Sequence, residues 1–391
     1  MKLKLKHLRH PLRAANAAKA MAAARWDLAR LAVRCERHFA GDARYALRSV
    51  SEGFAARIDD QSDDAALLDR ICTAYIKAVE RDQHAPAIYK ATEWWELQRR
   101  WTLKPVIQAL ATRDFEALQR MYGNFFRDPC SAGLIVVQSM AKDHFGERIK
   151  DIDRRVYLAD ALYHIDYWKA QTGGGYAMRD LSGPAIGNPF GVVIDGTLLR
   201  AGAAYQHYCA HRIRCLLQPG AATVIEIGGG FGGMAYYLLR DTTSLTYIDF
   251  DVPESIALTS YYLLKAFPQL KFLLYGEEEL TEETISRADV VLMPVFELAA
   301  MPEASADVVF CSHSISDLSH GAMVAYLNDI ARITQDHFLY LGNSSSGKAI
   351  TELVKSEYHS FRLAEMRFSG WHSHRIAGPS EIESHYRLDG S

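Results

Sequence analysis

Residues 223–239 read TVIEIGGGFGGMAYYLL, and this stretch decides the fold of the chain. Apolar β-forming residues surround Glu226, five glycines occupy the six positions 228–233, and a helical pattern follows. This order predicts a buried strand, a tight turn and the start of a helix. Glycines allow a positive φ and let a ligand approach the main chain closely. Because the turn also directs free N–H groups and a helix N-terminus at that ligand, it is typical of nucleotide-binding sites.

The chain around and beyond this stretch alternates between strand and helix patterns. Strands are predicted at 223–227, 245–249, 289–293, 306–311 and 337–341, with a weaker pair near 361–367 and 383–388, and helices at 231–239, 253–266 and 321–333. Such alternation predicts a mostly parallel sheet with helices on both faces. Ligands of these sheets bind outside the carboxyl ends of the strands, so we look there for the site.

The N-terminal part has a different pattern, with apolar residues at helical spacing and few strand-like alternations. We therefore predict three parts: an all-helical domain over 1–172, a lid or linker with a connecting helix over 173–215, and the sheet domain over 216–391. The middle part contains a Gly/Pro-rich stretch, and loops of that length are usually lids or connectors. Trp94, Trp95 and Trp101 form an aromatic cluster on one predicted helix. We interpret it as core, with a role as the roof of a substrate pocket as the less favoured alternative.

The overall composition excludes several classes of protein. With 49% hydrophobic and 23% charged residues, the chain is an ordinary globular protein. Its formal net charge of −3 argues against a polyanionic partner, and we predict no nucleic-acid substrate. No apolar run approaches the length of a membrane span, and the N-terminus lacks the apolar segment of a secretion signal. The six scattered cysteines form no CxxC pair, which predicts reduced thiols and a cytoplasmic location.

The first 40 residues form a basic arm, with ten Lys and Arg against two acids. A basic amphipathic helix of this kind can contact an anionic membrane surface weakly or bind a partner. The alternative is a solvated helix face, which we favour because the apolar side consists mostly of alanine. The helical domain is also where we expect the contact of a homodimer, if one forms.

The glycine turn satisfies a dinucleotide-binding pattern, with Gly228, Gly230 and Gly233 in GxGxxG spacing. Asp249 ends the next predicted strand about 20 residues later, where an acid accepts hydrogen bonds from ribose hydroxyls. This pattern alone fits NAD, FAD or S-adenosylmethionine. Glu226 lies within the strand itself, where a carboxylate can face a ligand's ammonium group, and a buried acid needs such a partner. This acid, and the single compact sheet behind a helical domain, favour S-adenosylmethionine.

ExGxGxG at 226–232, followed by Tyr-Ile-Asp at 247–249, resembles motifs I and II of the class I S-adenosylmethionine-dependent methyltransferases. More narrowly, EIGGGFGG (226–233), YIDFDVPES (247–255), YYLLKAFP (261–268), DVVFCSHSISDL (307–318) and FLYLGN (338–343) resemble the bacterial sugar O-methyltransferases. The resemblance covers about residues 215–391. It implies a Rossmann-like class I methyltransferase domain with a mostly parallel seven-stranded sheet, S-adenosylmethionine as cofactor, and a small-molecule or saccharide acceptor from a polysaccharide or natural product.

The resemblance also implies which residues bind the cofactor. Glu226, Gly228, Gly230 and Gly232 would hold its methionine part. Asp249 would bind the ribose hydroxyls and Phe250 would lie beside the adenine. Pro294, Val295 and Phe296, just after the third core strand, would pack against the adenine face.

The acceptor hydroxyl needs a base, because it is a poor nucleophile until its proton leaves. A positioned His, Asp or Glu contributes roughly 10²- to 10⁴-fold to such a step. His313, Asp317 and His320 follow the predicted fourth strand and are the candidates. Helix capping is the alternative role for His313 and Asp317, and His372 and His374 are weaker candidates for the base.

Three alternatives remain open from the sequence. The first two are methyltransferases with a different acceptor, either a nitrogen atom or a non-sugar hydroxyl of a small molecule. The third, which is less favoured, is an NAD-dependent oxidoreductase.

His207 and His211 have the i, i+4 spacing of metal ligands, but no carboxylate accompanies them. We therefore predict no metal.

Overall fold

A computed structural model of the chain describes residues 11–55, 64–135, 150–315, 318–371 and 381–388. The N-terminal part is helical, as predicted. Its helices are Pro11–His38, Arg48–Ala55, Ala65–Asp82, Glu93–Trp101, Lys104–Thr112, Phe115–Tyr122 and Asp151–Gln171, with 3₁₀ turns at Ala87–Tyr89 and Pro129–Ser131. No helix of the described residues has both the length and the apolar character needed to cross a membrane. Residues 1–10 of the predicted basic arm lie outside the described residues.

A small hairpin and one helix connect this part to the sheet. After a 3₁₀ turn at Met178–Leu181, β1 (Gly191–Ile194) pairs with β2 (Thr197–Arg200) in antiparallel fashion, and the helix Ala203–Arg214 follows. The Arg127 guanidinium donates hydrogen bonds to the carbonyls of Phe54, Asn188 and Pro189. The Tyr237 hydroxyl donates to the carbonyl of Leu181 at 2.7 Å. The segment predicted as a lid or linker is thus tied to both neighbouring parts.

The remaining strands form one eight-stranded sheet, in the order β5-β6-β4-β3-β7-β8-β10-β9. These strands are β3 (Ala222–Ile227), β4 (Leu245–Asp251), β5 (Phe272–Leu274), β6 (Val290–Pro294), β7 (Ala306–Ser312), β8 (Thr334–Asn343), β9 (Phe361–Ser369) and β10 (Glu381–Leu388). The helices beside them are Gly233–Asp241, Pro253–Ala266, Glu282–Ser286, His320–Ile333 and Ser344–Glu357, with a 3₁₀ turn at Val295–Ala300. The pairs from β5 to β8 are parallel, whereas β10 is antiparallel to both β8 and β9. The Rossmann-like fold is confirmed, with the three-residue edge strand β5 added to the expected seven.

Both faces of the central strands β3, β4, β6 and β7 are buried, which explains their unbroken apolar runs. Val224 and Tyr247 face the core that the sheet shares with the N-terminal helices. Ile225 and Ile248 face a second core under the helices His320–Ile333 and Ser344–Glu357. All four side chains have no exposed surface.

A buried carboxylate joins the N-terminal helices to the sheet. Glu254, in the first turn of the helix Pro253–Ala266, is 6% exposed. It accepts hydrogen bonds from the indole N–H of Trp95 and from the Arg99 guanidinium, whose Nε lies 2.5 Å away. At the other end of the same helix, Lys265 forms an ion pair with Asp64 at 2.9 Å. The contacts of Glu254 fix the helix Glu93–Trp101 against the helix that follows β4, and the pair of Lys265 with Asp64 joins that helix to the start of the helix Ala65–Asp82.

We expect Glu254→Ala to destabilise the fold by about 2 kcal/mol, because it leaves the buried indole N–H of Trp95 without its acceptor and removes one of the two carboxylates that Arg99 donates to. The matched control is Glu278→Ala, which removes an exposed ion pair with Arg287 and should change stability by less than about 0.5 kcal/mol. Urea unfolding measures both changes. Equal effects of the two substitutions would contradict the role of Glu254 as an anchor.

Candidate functional site

A cavity of about 450 Å³ lies at the carboxyl ends of β3, β4 and β7. This volume is in the range of small-molecule sites, roughly 300–1,000 Å³. The sheet contributes residues 226–231, 250–252, 295, 310 and 312–314 to its lining, the N-terminal helices contribute 89–92, 94, 95 and 133–135, and the connecting part contributes 201, 202, 205, 206 and 209. Of the described residues 173–200, none lines this cavity. The tryptophan-bearing segment 89–95 therefore forms part of the cover, and of the stretch 173–215 only residues from 201 onward are among the described lining.

The glycine turn after β3 has no room for most side chains. Gly228 and Gly230 have φ values of 83° and 67°, which favour glycine. A Cβ atom on Gly228 would lie 2.3 Å from the side chain of Ser314, and one on Gly229 would lie 2.6 Å from the Asp249 carboxylate. At Gly230 nothing described lies within 4 Å of such an atom. The main chain is thus packed from behind and open to the cavity at Gly230.

Two acids of β4 hold this turn through its backbone N–H groups. Gly229 donates to Asp249 and Gly230 donates to Asp251, both at 3.0 Å. Asp251 lines the cavity, whereas Asp249 is completely buried beneath the turn. This placement differs from the prediction that Asp249 faces the ligand. Side chains alternate between the two faces of a strand, so Asp249 and Asp251 lie on the same face. Asp251 is two residues closer to the carboxyl end of β4 and therefore extends past the turn.

Glu226 lies in the floor of the cavity and is 3% exposed. Its carboxylate accepts a hydrogen bond from the Tyr247 hydroxyl at 2.5 Å. Burial raises the pKa of Glu226 to about 7, the Tyr247 hydrogen bond opposes that rise, and the charge of Asp251 adds to it. Burial likewise raises the pKa of Asp251 to about 7. A cationic ligand would favour the ionised form of both acids, so the floor is suited to a cation.

The other predicted cofactor-binding residues divide between the lining and the wall behind it. Gly228, Gly230, Phe250 and Val295 line the cavity. Gly232, Pro294 and Phe296 are not among its described lining residues. Pro294 ends β6, and Phe296 lies in the following 3₁₀ turn with its ring 5.6 Å from that of Tyr275.

His313 is the candidate base that the structure brings to the cavity. It follows β7 with a φ of 64°, a left-handed conformation that is uncommon for residues other than glycine. Its Nε2 lies 2.7 Å from a carboxylate oxygen of Glu381, the completely buried first residue of β10. A carboxylate acceptor there favours the tautomer with the proton on Nε2, so Nδ1 becomes the basic nitrogen of the ring.

The remaining candidates are not at the cavity or cannot be placed. Asp317 lies outside the described residues, as do His372 and His374. His320 is exposed at the start of the helix His320–Ile333 and is not among the lining residues. No group of three or more metal-ligating side chains occurs among the described residues. His207 accepts a hydrogen bond from the Trp168 indole at 3.1 Å, and burial lowers its pKa to about 4.

Sequence reasoning missed four polar contributors to the site. Glu381 was missed because the last strand was predicted to begin two residues later. Tyr205 and Gln206 line the cavity from the helix Ala203–Arg214, and the Tyr205 hydroxyl lies 2.9 Å from that of Ser312. The proximity of Asp251 to Asp249 was visible in the sequence, and strand alternation would have made both candidates.

The fold and this cavity define the class: a doubly wound α/β protein whose ligand site lies at the carboxyl edge of the sheet. Among solved structures, the chain is similar to the small RNA methyltransferase HEN1 (13% identity, TM-score 0.36, 48% of this chain and 25% of that chain). It is also similar to a TehB-like SAM-dependent methyltransferase from Corynebacterium glutamicum (13%, 0.33, 59% and 97%). A third is the N-methyltransferase NodS from Bradyrhizobium japonicum in complex with S-adenosyl-L-homocysteine (11%, 0.32, 48% and 87%).

No protein-family model and no curated protein matches the chain. The chain spans a quarter of the length of the HEN1 structure that it matches. At these TM-scores the similarities do not define an activity, which has to be argued from the site.

The raised pKa of Glu226 predicts a pH-dependent stability. Below the unfolded pKa of 4.5 the carboxyl is protonated in both states, and above about 7 it is ionised in both. Between these values the folded state binds more protons, so stability falls as pH rises, by about 3 kcal/mol for this group.

We expect Glu226→Gln to gain stability relative to the natural protein at pH 8 and to match it near pH 4.5, because the amide is neutral at both. Urea unfolding at several pH values measures this difference. The buried histidines are common to both proteins and cancel in the comparison, so the difference reports Glu226 together with the acids whose charges interact with it. A difference that does not change with pH would contradict an ionisation confined to this window.

Proposed function

We propose that this protein is an S-adenosylmethionine-dependent methyltransferase that methylates a hydroxyl group of a sugar or sugar-like acceptor. The observation that carries the proposal is that one cavity contains both an acid-lined glycine turn and a histidine paired with a carboxylate. The turn supplies a site for a cationic nucleoside, and the His313–Glu381 pair supplies a base. A polysaccharide or a natural product would provide the acceptor.

The described residues fit the proposed donor. S-Adenosylmethionine supplies a methyl group activated by a sulfonium cation. Glu226 and Asp251 offer carboxylates to its cationic and hydroxyl-bearing parts, and the open main chain at Gly230 permits a close approach. Phe250 and Val295 offer apolar surface for an adenine. We assign the ribose hydroxyls to Asp251 instead of Asp249, because Asp251 lines the cavity.

The chain's own residues would orient the acceptor and remove its proton. His313 Nδ1 would take the proton of the acceptor hydroxyl. The donor would supply the methyl group, whose bond to the sulfonium sulfur breaks as its bond to the acceptor oxygen forms, with neutral S-adenosylhomocysteine as the leaving group. Glu381 holds the ring in the required tautomer and stabilises the imidazolium that results, as a buried carboxylate does beside other catalytic histidines. Alignment of the two reactants contributes the rest of the rate, since the methyl group is already activated.

The tryptophan-bearing cover supports a ring-shaped acceptor. Trp94 lines the cavity and is 52% exposed, so a large aromatic face is available at its rim. We propose that residues 89–95 and 133–135 select the acceptor.

We also propose that the chain divides into the parts 1–172, 173–215 and 216–391, that the protein is cytoplasmic, and that it has no nucleic-acid partner. We likewise propose a weak membrane contact of the basic arm and a homodimer through the helical part.

Two other functions share this cavity. A nitrogen acceptor, or a non-sugar hydroxyl, would use the same donor, and an amine need not have a strong base. An NAD-dependent oxidoreductase would use the same glycine turn. It is less well supported, because an antiparallel strand, β10, occupies the sheet position that the sixth parallel strand takes in the dinucleotide-binding order.

The donor can be tested by thermal and chemical unfolding with ligands. We expect S-adenosylmethionine at 100 times its Kd to stabilise the protein by about 2.7 kcal/mol, whereas NAD and NADH at the same concentration leave it unchanged. Stabilisation by NAD or NADH and none by S-adenosylmethionine would replace this proposal with the oxidoreductase.

The base can be tested with substitutions of the pair. We expect His313→Ala to lower kcat for a hydroxyl acceptor by roughly 10²- to 10⁴-fold and to leave donor affinity nearly unchanged, because it removes the proton acceptor. Glu381→Gln should lower kcat less and leave His313 in place. Steady-state kinetics and calorimetry with S-adenosylhomocysteine give the two readouts. An almost unchanged kcat in His313→Ala would favour the amine acceptor.

A further inference from the structure

The proposed donor carries an amino acid group, and its carboxylate needs a binding partner that Glu226 and Asp251 cannot be. A carboxylate is bound by positive charge and by N–H donors, and both occur at one side of the cavity wall. Arg200, the last residue of β2, is 6% exposed. Among the described residues no carboxylate lies within ion-pair distance of its guanidinium. Its Nε is buried without a hydrogen-bond partner among them. A buried cation without an acid is costly, and such groups are usually paired.

Aromatic rings and one glutamine hold this guanidinium in place. It lies over the rings of Phe126 and Phe231, at 5.2 and 5.1 Å from their centroids. It donates to the carbonyl of Ala201 at 3.1 Å and to the side-chain oxygen of Gln206 at 2.5 Å. Ala201, Gln206 and Phe231 all line the cavity. The positive charge therefore lies directly behind the wall of the proposed donor site.

The hydrogen bond from Arg200 fixes which way the Gln206 amide points. A guanidinium can only donate, so the atom facing it must be the amide oxygen, and the amide nitrogen faces elsewhere. No acceptor for that nitrogen occurs among the described residues. A Cβ atom on Gly233 would lie 2.3 Å from it. The side-chain amide of Gln206 thus packs directly against Gly233, the first residue of the helix Gly233–Asp241.

That helix N-terminus adds further donors at the same place. The first N–H groups of a helix have no partners within it, and their partial positive charge attracts anions. The residue that precedes this helix is Gly232, so no side chain caps the first turn within the described part of the chain. Met234, in the first turn, lines the cavity. Gln206, the helix N-terminus and Arg200 behind them form one electropositive corner of a cavity whose floor is acidic.

We propose that Gln206, oriented by Arg200, binds the carboxylate of the donor's amino acid group together with the N-terminus of the helix Gly233–Asp241. Glu226, on the floor, then faces the ammonium end of the same group. This inference rests on the proposed function and assigns a residue that no sequence motif indicated. Arg200 is a positioning residue here: it sets the amide orientation and adds a charge without contacting the ligand.

The test compares two ligands that differ only in the carboxylate. Isothermal titration calorimetry gives the Kd of S-adenosylhomocysteine and of its decarboxylated analogue. We expect the natural protein to prefer the carboxylate form by roughly 10- to 100-fold, the range for a hydrogen bond to a charged group. Gln206→Leu should reduce this preference to about 3-fold or less, mainly through weaker binding of S-adenosylhomocysteine, because it removes that hydrogen bond.

Two further variants sharpen the result. Gln206→Glu keeps an acceptor for Arg200 but places a negative charge beside the ligand carboxylate, so it should reverse the preference toward the decarboxylated analogue. Arg200→Met should also reduce the preference. Gln218→Leu makes the same change at an exposed glutamine beyond the helix Ala203–Arg214, and it should leave both Kd values unchanged.

The outcomes separate this inference from the proposed function. Equal affinity of the natural protein for both ligands would overturn the carboxylate site and leave the methyl donor intact. Loss of affinity for both ligands to the same extent in Gln206→Leu would show that the side chain only packs against the turn, and would also overturn it. Binding of neither ligand to the natural protein would overturn the proposed donor itself.

Discussion

The hydrogen bonds from the glycine turn to the acids of β4 are the contacts on which the site depends. Gly229 and Gly230 give their N–H groups to Asp249 and Asp251, so a turn without side chains has a fixed shape. That shape determines where the helix Gly233–Asp241 begins and where the main chain is open. The same contacts hold the two carboxyl groups in buried positions, and burial raises the pKa of both. The rigid shape of the turn and the preference of the site for a cationic ligand thus both result from these hydrogen bonds.

The helical part and the ligand site are coupled through the end of β4. Asp251 lines the cavity, and three residues later Glu254 accepts the hydrogen bond of Trp95, which also lines the cavity. A ligand that contacts both Asp251 and the tryptophan segment therefore contacts both the end of β4 and the helical part that is joined to it. Binding there would add to the stability of the junction, since a ligand that binds the folded state stabilises it.

Much of this architecture could be predicted from the sequence, because its strands are continuous apolar runs ended by glycines or acids. The site was less predictable, for physical reasons. Asp249 and Asp251 share one strand face, and only the height of the turn decides which of them meets the cavity. The antiparallel pairing of β10 with β8 places Glu381 opposite Asn343, and this register brings Glu381 to His313, 68 residues earlier in the chain. No local pattern encodes that register. The segment 133–135 carries no motif, and β5, at three residues, is too short to show periodicity.

The place of β10 in the chain determines the order in which the parts of the site are synthesised. All described residues that line the cavity precede residue 327, whereas Glu381 belongs to the strand that is synthesised last among those described. A ribosome therefore releases the described lining of the cavity before it releases the carboxylate that contacts His313. In the proposed mechanism, His313 would therefore be held in its tautomer only after β10 has entered the sheet.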